Sequence, residues 1–419
     1  MIYFLCRITV GLASKFSFYA FFKVSSAHSP LLNMKFGENQ MLNRTDLTSP
    51  GYFRSSVANW VHCKRSRFRS INRFNAVSSC LFIVLVATCG YIYLYQTVLP
   101  VIVDENTIND SQESDGVCDL YDGTWVRDET YPLYNASQCP FAESSFNCLS
   151  NGRRDKGYLK WKWKPKKCDI SRFNVGVILE KLRGKRIVFV GDSLSRTQWE
   201  SMICLLMNGV EEKSSVYEIN GNKISKKIRY LGVRFHSFNF TIEFYRSVFL
   251  VKIGSVPKRS PKRVRSTIKL DELDGISSKW IDSDILVFNT GHWWNRAKLF
   301  ELGCYFKVGG RLKLGMSTMS AYTTALQTWA SWVENMVDTD RTRVFFRTFE
   351  GSHWSGKNGH TCEVTEKPIY KTMHVTPMGS YRSDAHVGTW SDNPTVPDCS
   401  HWCLPGVPDA WNQILFSYL

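Results

Sequence analysis

The most constraining stretch is Arg186-Ile-Val-Phe-Val-Gly-Asp-Ser-Leu-Ser-Arg196. Arg186 to Val190 is a short β-branched apolar run, closed by Gly191 and Asp192. Such a run reads as a strand buried on both faces, as in a parallel sheet. From Leu194 to Met207 the apolar residues Leu194, Ile203, Leu205, Leu206 and Met207 recur at helical spacing. A buried strand that turns this sharply into a helix commits the chain to a layered α/β fold. It also sets Ser193 beyond the carboxyl end of the strand, where open α/β sheets gather ligands. The helix that follows aims free N–H groups and its positive dipole end at the same spot. A serine there can attack an ester, because the developing oxyanion meets backbone donors at once. The same residues also suit a plain helix cap, with Asp192 as the turn residue.

The flanking sequence extends this pattern. Asp284-Ile-Leu-Val-Phe-Asn289 is a second buried strand that runs into Thr290-Gly-His-Trp-Trp294, and Arg343-Val-Phe-Phe-Arg347 is a third. Met319 to Val337 is an amphipathic helix, and Asp409 to Tyr418 is a last helix with Pro408 near its start. Ser214 to Lys252 alternates charged and apolar residues and predicts two or three antiparallel strands. Pro257 to Arg265 reads as a solvated basic loop. Residues 175–419 are therefore expected to form an α/β sandwich with a mostly parallel sheet.

Ala76 to Val98 is continuously apolar and uncharged, long enough to span a bilayer, with Tyr91, Tyr93 and Tyr95 toward its far end. Lys64, Arg65, Arg67, Arg69 and Arg73 precede it, so the amino terminus is expected in the cytosol and everything after the span in a lumen. The predicted order is a basic cytosolic tail (1–75), a type II signal anchor (76–98), a polar stem (99–117), a cysteine-rich lobe (118–174) and the α/β domain. Met1 to Val24 is broken by Arg7, Lys15 and Lys23 and reads as tail, with Met34 as an alternative start. The tail holds 11 Lys/Arg and 2 Asp/Glu, so +9 of the +16 net charge lies there. Positive-inside orientation accounts for that excess, and no nucleic-acid partner is expected. Nine of the 13 cysteines follow residue 117, which points to disulfides formed in an oxidising compartment. The Asn-X-Ser/Thr sequons at Asn109, Asn135 and Asn239 agree with that placement; Asn43 matches too but would face the cytosol.

A nucleophilic serine needs a base, and the base needs an orienting group. Asp398-Cys-Ser-His401 supplies both three residues apart, on an expected turn or short helix, with Cys399 and Cys403 positioned to brace it. Asp384-Ala-His386 is a rival pair, whose members share a face if the segment is extended. His353, His360 and Cys362 lie close together, but without CxxC or HExxH spacing no metal is expected. Candidate oxyanion and substrate contacts are the Ser193 N–H, Arg196, Asn289, Gly291, His292 and Trp293. Trp293, Trp294, Trp354 and Trp402 suit either a sugar groove or the core. In Tyr158-Leu-Lys-Trp-Lys-Trp-Lys-Pro165 packing of the tryptophans is favoured over binding of sugars or polyanions.

Gly191-Asp192-Ser193 with Asp398-x-x-His401 resembles the GDSL/SGNH hydrolase pattern. A closer resemblance is to the plant trichome birefringence-like family of polysaccharide O-acetyltransferases. It is carried by Val190-Gly-Asp-Ser-Leu-Ser-Arg196, Asn289-Thr-Gly-His-Trp-Trp294 and Asp398-Cys-Ser-His-Trp-Cys-Leu-Pro-Gly-Val-Pro-Asp-Ala-Trp411, together with Cys118 to Trp125 and Trp161 to Pro165. The resemblance implies an SGNH-hydrolase-like three-layer sandwich in a Golgi type II membrane protein. It further implies acetylation of cell-wall polysaccharide, xylan or xyloglucan foremost, through an acetyl-serine. Ser193 would be the nucleophile, His401 the base and Asp398 its partner. No bound cofactor is implied, but an acetyl donor is required, acetyl-CoA or a carrier derived from it. An acetyl esterase and a non-catalytic glycan-binding protein are the alternatives. Two positions depart from the pattern: Arg154 replaces a frequent proline, and Trp293 stands where the hydrolase motif would put an asparagine donor. Eight of the nine later cysteines allow on the order of a hundred pairings, and Cys304, between the shared motifs, is expected to stay unpaired.

Overall fold

The computed structural model describes residues 119–355, 361–362, 377–390 and 393–419. The tail, the apolar segment 76–98, the stem, and the sequons at Asn43 and Asn109 lie outside these residues. Among the described residues no helix is long and apolar enough to cross a membrane.

The N-terminal segment contributes β1 (Gly123–Arg127) and β2 (Trp161–Pro165), paired antiparallel. The main sheet contains β3 (Arg186–Gly191), β4 (Val216–Glu218), β5 (Tyr230–Phe235), β6 (Phe240–Arg246), β9 (Ile285–Asn289) and β12 (Arg343–Arg347). A second sheet holds β7 (Val251–Gly254), β8 (Ser266–Leu273), β10 (Cys304–Val308) and β11 (Arg311–Lys313). Two short ribbons follow, β13 (Trp354–Ser355) with β14 (Thr361–Cys362) and β15 (His386–Trp390) with β16 (Asn393–Trp402). The helices are α1 (Val175–Lys181), α2 (Ser193–Met207), α3 (Thr318–Met336), the single turn α4 (Pro377–Ser380) and α5 (Val407–Ser417).

The main sheet runs β12-β9-β3-β6-β5-β4, and β12, β9, β3 and β6 are parallel. Alternation along β3 makes the layers. Ile187 and Phe189 enter one core with Trp199 and Leu205 of α2 and Leu415 of α5. Val188 and Val190 enter the opposite core with Trp329 and Val333 of α3. All four strand residues are fully buried, so the β-branched run marks a strand sandwiched between helices.

Two features differ from the sequence expectation. β5 and β6 form the expected antiparallel hairpin, but β6 also lies parallel to β3 and so joins the hairpin to the parallel sheet. Alternation signals a strand; it does not name its partner. The second sheet, in which only β8 and β10 are parallel, was not anticipated, because its strands are short and split by the basic loop. It packs through Ile268, Leu270 and Phe306 on Ala321, Tyr322 and Ala325 of α3.

The N-terminal segment shares a core with the α/β domain. Trp125, Tyr158 and Trp163 pack with Leu194, Trp402, Trp411 and Ile414. Trp163 donates its indole N–H to the Leu120 carbonyl at 2.9 Å and Trp125 to Met378 at 2.8 Å, so the aromatic residues of the Tyr158–Pro165 run serve packing. The disulfides staple this segment outward, Cys139 to Cys204 of α2 and Cys148 to Cys403 beyond β16. Among the described residues Cys304 is the free thiol, and it is buried. The Cys139–Cys204 loop spans 65 residues, and loop-closure entropy on that scale stabilises by about 2–4 kcal/mol. Replacing both cysteines by serine is therefore expected to lower the unfolding free energy by that amount in chemical denaturation. An unchanged midpoint would contradict the assignment.

Candidate active site

Ser193 is the first residue of α2, and Asp192 is its cap, accepting the Leu194 N–H on Oδ1 at 2.9 Å. The turn before it is tight enough to demand glycine. A Cβ on Gly191 would lie 2.4 Å from the Asn289 carbonyl oxygen and 2.8 Å from the Ser195 Cβ. The ends of β3 and β9 therefore converge on the serine. As the first helical residue, Ser193 has an N–H with no acceptor within its own helix.

The Ser193 Oγ lies 2.7 Å from Nε2 of His401, and His401 Nδ1 lies 2.8 Å from Oδ2 of Asp398. Both partners sit on β16, not on the expected turn or helix. Residues three apart in a regular strand face opposite sides. Here the register with β15 passes from His386↔Trp402 to Gly388↔Asp398, so β16 carries two extra residues in a bulge. Inside it, Asp398 Oδ1 accepts the N–H groups of Ser400 and His401, each at 3.1 Å. The bulge re-aims both side chains to one face. Burial pushes the Asp398 carboxyl up. The hydrogen bond and charge of His401, with the two backbone donors, outweigh it and hold the group below its usual value. Cys399 and Cys403 are both in disulfides, to Cys362 and Cys148.

The other expected contacts divide. Arg196 is withdrawn from the oxyanion role: its guanidinium is buried between Glu200, at 2.7 Å, and Glu143. It also covers the ring of Phe146, which packs on the His401 imidazole with centroids 5.8 Å apart. The Asn289 amide is spent too, donating to the carbonyls of Arg347 at 3.0 Å and Thr348 at 3.3 Å. Gly291 opens the turn after β9 with φ 156°, and a Cβ there would meet the Phe349 ring at 2.3 Å. His292 lies within electrostatic reach of His401 and Asp398. Burial pushes its imidazole down to about 3, so it is neutral at working pH. Trp293 is partly exposed, whereas Trp294 and Trp402 are core residues and Trp354 is at the surface.

Lys298 was not anticipated. It lies on a π-helical turn, Ala297–Glu301, a feature that recurs at functional sites. Its Nζ sits 5.0 Å from the Trp293 ring centroid and 3.4 Å from the His292 carbonyl. Burial lowers its proton affinity, while the charges of Asp192 and Asp398 act against that. No motif or spacing in the sequence singled it out. Phe146 carried no signal beyond its nearness to Cys148.

The rival pair is separated. Asp384 is held by Arg382 at 2.8 and 3.0 Å, while His386 Nδ1 faces the His401 carbonyl at 3.0 Å. Cys362, weighed as a metal ligand, is half of a disulfide, and His360 lies outside the described residues.

The family model described as a GDSL/SGNH-like acyl-esterase family found in Pmr5 and Cas1p matches residues 170–373 and 365–418. The PMR5 N-terminal domain model matches residues 116–169. Among curated relatives, trichome berefringence-like 7 of Arabidopsis thaliana is 55% identical over 366 residues, covering 81% of this chain and 82% of that protein. Trichome birefringence-like 9 of the same plant is 40% identical over 344 residues, with 72% and 83% covered. The strand-to-serine turn and the disulfide-fastened N-terminal segment lie in the matched regions, and the chain belongs to the GDSL/SGNH-like acyl-esterase family and, within it, to the trichome birefringence-like proteins.

Proposed function

We propose that this protein is an O-acetyltransferase of the Golgi membrane, anchored through residues 76–98, that acetylates hydroxyls of a cell-wall polysaccharide such as xylan or xyloglucan. The observation that carries the chemistry is the unbroken hydrogen-bonded chain Ser193–His401–Asp398. In the first half-reaction the Ser193 oxygen attacks the donor's acetyl carbonyl as His401 Nε2 takes the hydroxyl proton. The tetrahedral intermediate then collapses. The donor's leaving group departs with the proton from His401, and an acetyl-serine ester remains. In the second, a sugar hydroxyl gives its proton to His401 and attacks that ester. Ser193 is expelled and recovers the proton. Asp398, kept ionised, fixes the imidazole tautomer and balances the imidazolium formed in each step.

With Arg196 and Asn289 committed elsewhere, the oxyanion falls to the N–H groups of Ser193 and Gly291 and to the neutral ring of His292. Trp293 and Lys298 beside it suit a sugar ring and its oxygens. An acetyl esterase, with water as acceptor, uses the same residues and is favoured by the acyl-esterase description of the family. Incubation with an acetyl donor, with and without deacetylated xylan or xyloglucan, separates the two. Acetylated glycan supports transfer, and acetate release indifferent to glycan supports the esterase.

Ser193→Ala is expected to abolish turnover, and Asp398→Asn to lower kcat by about 10³–10⁴-fold, with both variants folded by circular dichroism. Turnover by Ser193→Ala would end the acetyl-serine mechanism. His292 is neutral down to about pH 3. His292→Ala should thus reduce kcat, roughly 100- to 1000-fold, while leaving the shape of the pH–rate profile above pH 4 unchanged. A lost or moved limb would show that His292 titrates in the reaction. Asn135 and Asn239 are exposed. In protein made through the secretory pathway each is expected to carry a glycan, read as a mobility step lost in N135Q and in N239Q.

A further inference from the structure

A chain of imidazoles stands behind the base. His386 Nδ1 is 3.0 Å from the His401 carbonyl oxygen, and His386 Nε2 is 2.7 Å from Nδ1 of His353. His353 Nε2 is in turn 3.0 Å from the carbonyl oxygen of Ser380 in α4. A carbonyl cannot donate, so each terminal nitrogen must carry a hydrogen. The central contact needs one more. Three protons on four ring nitrogens make one neutral imidazole and one imidazolium. Two neutral rings hold only two, which leaves either two lone pairs facing each other at the centre or a bare nitrogen against Ser380.

We infer that His353 and His386 share this proton and act as positioning residues for His401, a role that rests on the reading of His401 as the base. His386 is the deeper ring, stacked on Trp402 with centroids 4.0 Å apart, and burial holds it neutral. The shared proton lies in the central contact between His386 and the half-buried His353. Its charge polarises the His386 N–H that grips the His401 carbonyl. The segment bearing His353 is also laced to β16: the His353 N–H donates to the Cys399 carbonyl at 3.1 Å, and the Ser352 and Ser400 hydroxyls meet at 2.9 Å.

The surrounding charges leave this arrangement intact. Asp398 and His401 face the pair from β16. Arg153 reaches the backbone carbonyls of His386 at 3.3 Å and Asp384 at 2.6 Å. The Asp384 carboxylate is neutralised by Arg382. Glu350, pushed up to about 7 by burial, takes the N–H of Gly379 in α4. With the third proton in place all three hydrogen bonds are made. Without it one is lost, and with it part of the restraint on His401.

The test uses the full-length chain and turnover of an acetyl ester across pH 5–8. His353→Gln keeps a donor for Ser380 but cannot take the proton. His386→Asn keeps a donor for the His401 carbonyl but breaks the relay. His386→Leu removes both. The wild type is expected to lose kcat as pH rises through the pair's titration, and that limb should be absent in His353→Gln and His386→Asn. KM should stay within roughly twofold. His386→Leu should lose on the order of 100-fold in kcat, the scale of a base displaced by an ångström, and His386→Asn should recover most of it. Nitrogen-15 histidine spectra of Ser193→Ala should show one imidazolium shared by the two rings at pH 5. Superimposable pH profiles for wild type and His353→Gln, or two neutral rings throughout, would overturn the inference. Residual activity of Ser193→Ala would instead count against the parent mechanism, because the spectra do not depend on turnover.

Discussion

The hydrogen bond between Ser193 and His401 joins residues 208 positions apart, and much of the architecture serves to close it. The serine is fixed by the main sheet, through a strand that is buried on both faces and a turn that only glycine fits. The histidine is fixed by β16, which belongs to a separate ribbon and needs fastening of its own. Cys148–Cys403, Cys362–Cys399 and the imidazole pair supply it on three sides. An imidazole on a loosely held ribbon would sample orientations in which Nε2 misses the hydroxyl, and productive geometry tolerates errors of about 0.5 Å.

Buried charge is concentrated around α2. Arg196 lies between Glu143 and Glu200, and Asp409 of α5 accepts from Ser201 at 2.6 Å and from Tyr134 at 3.2 Å. Burial pushes the Glu200 and Asp409 carboxyls up to about 7. Such pairs add little net stability against apolar packing, but breaking one strands a charge. Through Glu143 and Tyr134 they tie the N-terminal segment to α2 and α5. That segment in turn brings Phe146 against the His401 ring, so residues that touch no reacting atom shape the site.

The parallel core strands and the major helices were legible because their signals are local: apolar runs, helical spacing, a glycine at a turn. Ser193, Asp398 and His401 were legible as a set because each stood in a short distinctive stretch. The second sheet was hidden by its short, interrupted strands. The roles of Arg196 and Asn289 were misjudged for a different reason. Their positions one turn beyond the serine and at a strand end are right for a donor, but Glu143 and the end of β12 claim their N–H groups first. Competition between acceptors depends on tertiary neighbours, and no spacing rule encodes it. The rival pair Asp384 and His386, ranked second to Asp398 and His401, is undone by the same kind of competition, because Asp384 is paired with Arg382.

The link from Cys148 to Cys403 spans 255 residues, and this sets an order of events during synthesis. Cys139 can meet Cys204 once α2 has emerged. Cys148 must wait for nearly the whole domain, roughly 10–50 s at ordinary elongation rates. Through that interval its native partner has not been made, and neither has the wall behind His401. The candidate site is thus completed by the last residues made, and a chain cut short near its end would lose His401 and the Cys148–Cys403 cross-link together.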